Sequence, residues 1–179
     1  METGVATNPS QMNIYLERLR KAINEATVGM TAAQLSHHPE GKWCAGEILE
    51  HLSLTYIGTI KGCEKSLQAG RPLAGSPTFY QKVAIFLVTG AGYLPSGRES
   101  PKTALPKGAS TENILSELDH NIDTMDRAIT ACEIRYGKKT PMMDHPILGP
   151  LTSQEWRKFH LVHGKHHLKQ ILVLRESSA

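Results

Sequence analysis

The sequence predicts an all-α protein, an antiparallel four-helix bundle with one long crossover between its second and third helices. Three observations carry this expectation. Hydrophobic residues make up 40% of the chain but aromatic ones only 6%, a profile that suits helices filled by Leu, Ile, Ala and Met better than an aromatic-rich sheet. Four stretches repeat apolar residues at intervals of three and four. Between the second and third lies a long Gly- and Pro-rich connection of the kind that forms a functional lid or a crossover.

The first helix is expected from about Pro9 to Thr27. Asn8-Pro9-Ser10-Gln11 offers a cap and a proline at the first helical position, and Met12, Leu16, Leu19, Ile23 and Ala26 follow at helical spacing. A polar turn region from Gly29 to Gly41 separates it from a second helix, roughly Trp43 to Gln68, with Ala45, Ile48, Leu49, Leu52 and Tyr56 as its core stripe. Within the Gly70 to Gly108 connection, Thr78 to Thr89 reads as a short helix. The third long helix carries Leu115, Leu118, Ile122, Met125, Ile129, Cys132 and Tyr136, and Gly137 stops it. The fourth opens on Thr152-Ser153-Gln154-Glu155, a capping box after Gly149-Pro150, and continues to about Arg175.

At 179 residues the chain is expected to form one domain, residues 1–179, with a core that needs no cross-links. Its net charge of +3 comes from 20 basic and 17 acidic side chains that are interspersed, which argues against a nucleic-acid partner. Cys44, Cys63 and Cys132 are odd in number and form no CxxC pair, so a disulfide framework is not expected and a reducing, cytoplasmic setting is. The start lacks the pattern of a secretory signal, and the longest apolar run, Val83 to Val88, is far too short to span a membrane.

Four of the nine histidines, His160, His163, His166 and His167, fall within eight residues. Positions four apart on a helix differ by ~6 Å of rise and ~40° of rotation, so His163 and His167 aim two imidazoles at one point. Two imidazoles hold a divalent cation loosely, and His51 on the second helix is the best placed third donor. Glu47 lies one turn before His51, where its carboxylate either orients an imidazole or accepts a proton from a bound nucleophile. His160 and His166 fit the edge of the site or solvent equally well. His37, His38, His120 and His145 read as structural or exposed, Trp43 and Trp156 as core aromatics, and Cys44 as too far from His51 to be a fourth ligand.

Three segments together resemble the DinB/YfiT-like superfamily of metal-binding four-helix bundles: Trp43-Cys44-Ala45-Gly46-Glu47-Ile48-Leu49-Glu50-His51-Leu52, His145 to Trp156, and His163-Gly164-Lys165-His166-His167-Leu168-Lys169-Gln170-Ile171. The resemblance implies that His51, His163 and His167 are the metal ligands. It also implies hydrolysis or transfer of a low-molecular-weight thiol, with a small-molecule substrate and homodimerisation as a common assembly. On that reading a divalent transition metal, Zn or Ni foremost, activates a bound water or thiol, and Glu47 or His160 handles protons. Three imidazoles also suit Fe or Cu but disfavour Ca and Mg. The rival expectation is a non-catalytic metal-binding module of a stress or damage response, since no Ser or Cys nucleophile with its own base is visible.

Overall fold

The computed structural model describes residues 11–94, 100–108 and 110–177. It is mostly helical, with six α-helices and a two-stranded sheet among the described residues, so the chain is not a strict four-helix bundle. The helices are α1 (Ile14–Thr27), α2 (Ala32–Ser36), α3 (Ala45–Ala69), α4 (Phe79–Ile85), α5 (Ile114–Tyr136) and α6 (Ser153–Ser177). The strands are β1 (Pro141–His145) and β2 (Gly149–Thr152), paired antiparallel.

Local chemistry explains the boundaries. The proposed cap at Asn8 and the proline at position 9 lie outside the described residues; α1 begins at Ile14, where the Asn13 side chain accepts the Tyr15 N–H at 3.1 Å. The polar turn contains the unforeseen α2, opened by a capping box between Thr31 and Gln34. Helix α3 opens on a box in which Cys44 plays the serine-like part, and Gly70 ends it at φ 66°, a left-handed conformation that costs glycine nothing. The Thr78 to Thr89 segment is helical as expected, with α4 followed by a π-helical turn over Phe86–Gly90. At the start of α6 the expected box is present: Thr152 N–H donates to Glu155 Oε2 at 2.8 Å, and Glu155 N–H to Thr152 Oγ1 at 3.3 Å.

Helix α3 packs along α5, and α1 along α6. Asn121 Nδ2 donates to Ser53 Oγ and the Tyr136 hydroxyl to Ser66 O, so residue numbers rise together along α3 and α5. The same holds for α1 and α6, where Lys158 lies over the Tyr15 ring and Arg175 donates to Ala26 O. Both pairs are therefore parallel, which corrects the expectation of a purely antiparallel bundle. The crossover is the physical reason, because it returns the chain to the starting end of α3 before α5 begins.

The central layer is apolar. Leu16, Leu19, Leu49, Leu52, Tyr56, Met125, Ile129 and Ile171 are all wholly enclosed. One ionic group crosses it: Arg157, 5% exposed, donates to Asp126 Oδ1 at 3.0 Å, to Glu133 Oε2 and to Thr130 Oγ1. The hairpin is tied to the start of the crossover, since Leu73 N–H donates to Met142 O and Gly75 N–H to Asp144 Oδ1. The close approach anticipated at Gly164 is to α1, where an added Cβ would collide with the Leu19 side chain. No described helix is long and apolar enough to cross a membrane.

Candidate metal centre

Helix α3 presents His51, and α6 presents His163 and His167 one turn apart. Their Nε2 atoms face one another: His51 to His163 at 3.3 Å, and His163 to His167 at 3.1 Å. Two nitrogens bound at ~2.0–2.1 Å to one tetrahedral ion stand ~3.3 Å apart, so these separations are those of metal ligands. The three form a group able to hold a metal ion.

Hydrogen bonds on the far side of two rings fix the tautomers. His51 Nδ1–H donates to Ala104 O at 2.7 Å, and His167 Nδ1–H donates to Gln170 Oε1 at 3.0 Å. Both Nε2 atoms are therefore bare lone pairs directed at His163. A single proton on His163 Nε2 satisfies one of them, whereas a cation satisfies both along with His163 itself. His163 stacks on Phe159, and its buried Nδ1 has no hydrogen-bond partner among the described residues.

The rings are held neutral, the form that ligates. Burial depresses the pKa of His51, drives His163 well below its ordinary range with help from His167 and His51, and lowers His167 to about 4.

The group opens on a cavity of about 1040 Å³, whose walls include Leu54, Val88, Leu94, Met143, Leu148 and Phe159. Helix α3 contributes Gly58 and Gly62, and a Cβ built on Gly58 would meet no atom within 4 Å. The crossover supplies part of the wall, including the 3₁₀ turn Lys102–Ala104 whose last carbonyl holds His51.

The structure brings His51, His163 and His167 together but sends Glu47 elsewhere. The Glu47 carboxylate accepts the Cys44 N–H at 2.9 Å, pairs with His38 at 3.4 Å and does not line the cavity. Its side chain completes the capping box of α3, and a cysteine rather than a serine or threonine at the cap three residues earlier hid that role. His38, Cys44 and Glu47 also lie close enough to suggest a second ligand group. Their mutual hydrogen bonds at the helix start account for that proximity.

His160 is wholly enclosed. Its Nε2 lies 2.9 Å from Thr59 Oγ1, its ring stacks on Trp156, and burial lowers its pKa to about 3. The ring nonetheless borders the cavity. Trp43 is half-buried and packs against the His51 ring, 5.3 Å between centroids, so it helps to position that imidazole. His166 lines the cavity. Two contributors escaped the sequence reading: Ala104, whose carbonyl carries no side-chain signal, and His145, which also lines the cavity; Gln170, part of the His163 to Ile171 motif, is the partner of the His167 ring.

Fold and site together define a mostly helical protein with a buried three-histidine group that could hold a metal ion. The chain belongs to the family described as Protein of unknown function (DUF1569), which matches residues 8–173. Neither the curated proteins nor the solved structures give a match.

Proposed function

We propose that this chain is a metal-dependent enzyme of the hydrolase or low-molecular-weight-thiol S-transferase type, with His51, His163 and His167 as ligands of a divalent transition ion, zinc or nickel foremost. The observation that supports it is the convergence of two tautomer-fixed imidazole lone pairs on a third imidazole beside a large cavity. The reaction class rests on the resemblance to the DinB/YfiT-like superfamily.

A divalent ion held by three neutral imidazoles keeps a coordination position for water or thiol and lowers the pKa of what binds there. The chain's own part is positioning. Ala104 O and Gln170 Oε1 hold two rings in the ligating tautomer, and burial keeps all three rings unprotonated at neutral pH. The apolar walls give a small-molecule substrate a partly dry environment in which charge interactions strengthen. The three free cysteines favour a reducing, cytoplasmic compartment. A homodimer follows from the resemblance alone.

One observation favours the rival reading of a binding module without turnover: both expected proton carriers, Glu47 and His160, are engaged in other bonds. Elemental analysis of tag-free protein tests the metal. Wild type should carry about one equivalent and His163→Ala/His167→Ala almost none; equal content in the two would refute the ligand set. Cobalt-substituted protein titrated with bacillithiol, mycothiol and glutathione should develop a sulfur-to-metal charge-transfer band with one of them. Silence across these thiols and a panel of hydrolase substrates would favour the module.

A further inference from the structure

His145 closes β1, and its ring is fixed by the turn that follows. Ile147 N–H and Leu148 N–H both donate to His145 Nδ1, each at 3.1 Å. A nitrogen that accepts two backbone N–H groups carries no proton, so the neutral ring bears its hydrogen on Nε2. Among the described residues that Nε2–H meets no acceptor, although the ring lines the cavity. Its centroid is 4.4 Å from that of Phe159, which in turn stacks on His163 at 5.3 Å. The centre of the His145 ring therefore stands within the combined length of those two contacts from the centre of the His163 ring. Burial lowers the His145 pKa to about 4, so the ring stays a neutral donor across the physiological range.

The remaining walls call for a different kind of group. Leu54, Val88, Leu94, Met143 and Leu148 are apolar, and Gly58 leaves room for a ligand along α3. At about 1040 Å³ the space is at or just above the ~300–1,000 Å³ usual for small-molecule sites. We propose that the cavity takes a small apolar carbonyl compound, with His145 Nε2–H donating to its carbonyl oxygen and the apolar body lying along the Gly58 face of α3. This assigns a substrate class and a binding residue to the proposed enzyme site, and rests on that reading for its catalytic meaning.

Three probes separate the parts: 4-phenylbutyramide, which has both the carbonyl and the apolar body; 4-phenylbutylamine, which lacks the carbonyl; and acetamide, which lacks the body. Titration calorimetry on chelator-treated and zinc-loaded protein should find 4-phenylbutyramide at least about tenfold tighter than either of the others. His145→Asn keeps an oxygen for the Ile147 and Leu148 N–H groups but is too short to place a donor at the Nε2 position in the cavity. It should weaken 4-phenylbutyramide by about tenfold, with zinc content and 4-phenylbutylamine binding unchanged. Gly58→Leu should abolish 4-phenylbutyramide binding and keep full zinc content, which provides the test even if His145→Asn fails to fold.

His145- and Gly58-dependent binding to protein that takes up no zinc would uphold this proposal while the metal reading falls. Zinc uptake without binding of 4-phenylbutyramide, or with binding indifferent to both substitutions, would overturn it and leave the metal reading standing.

Discussion

His160 makes the metal-free protein sensitive to mild acid in a way that can be computed. Its ring is wholly enclosed, and the pKa falls from the ordinary 6.5 to about 3, first through burial and then through repulsion from His145. As pH drops through 6.5 the unfolded chain takes up a proton that the folded chain refuses until about pH 3. The stabilisation from the neutral ring is thus fully present above 6.5 and lost progressively on acidification. Each pH unit below 6.5 removes about 1.4 kcal/mol, so His160 alone accounts for about 2 kcal/mol between pH 7 and pH 5. With a urea slope of ~1–3 kcal/mol/M, that shifts the unfolding midpoint by about 1 M. The assay is urea unfolding of chelator-treated protein, followed by circular dichroism at both pH values, for wild type and His160→Gln. Glutamine does not titrate, so the variant's difference between the two pH values should shrink by about 2 kcal/mol, while His51, His145, His163 and His167 keep the rest. An identical pH dependence in both proteins would refute the argument.

His51→Ala, His163→Ala and His167→Ala should each lower bound metal at least about tenfold by elemental analysis, and exposed His37→Ala should leave it unchanged. Glu47→Ala should cost ~1 kcal/mol in denaturant unfolding through the lost cap, with no change in metal content; a tenfold fall in metal would instead place its carboxylate behind His51. Arg157→Ala should destabilise by ~3–5 kcal/mol, because the Asp126 carboxylate would stay buried without its charge partner. Chelator-treated wild type should remain helical by circular dichroism at pH 7, since the apolar core does not depend on the three histidines.

Elements whose evidence is local were readable before any coordinates. Gly137 stops α5 as expected, Thr152 and Glu155 cap α6, and the i, i+4 pair His163 and His167 converges by helix geometry alone. The hairpin was not readable: its strands of five and four residues include Pro141 and Pro150 and show no sustained alternation, so Met143 opposite Leu151 becomes visible only once paired. Glu47 was ambiguous, because a carboxylate one turn before His51 is also a capping residue three positions after Cys44. The place of His145 at the cavity wall was not legible either. Its assignment depends on two backbone N–H groups that the turn brings back to its own ring.

The bond from His51 Nδ1 to Ala104 O joins one of the three clustered histidines to the crossover, and Glu50, the residue before it, takes the N–H groups of Lys107 and Gly108. One stretch of main chain thus both walls the cavity and sets the orientation of an imidazole. On the proposed metal reading, lifting it away would free the ring to rotate, so access for a bulky molecule and retention of the ion would be thermodynamically linked, each setting the other's equilibrium. Substitutions in the crossover would then retune ion affinity without touching a single histidine.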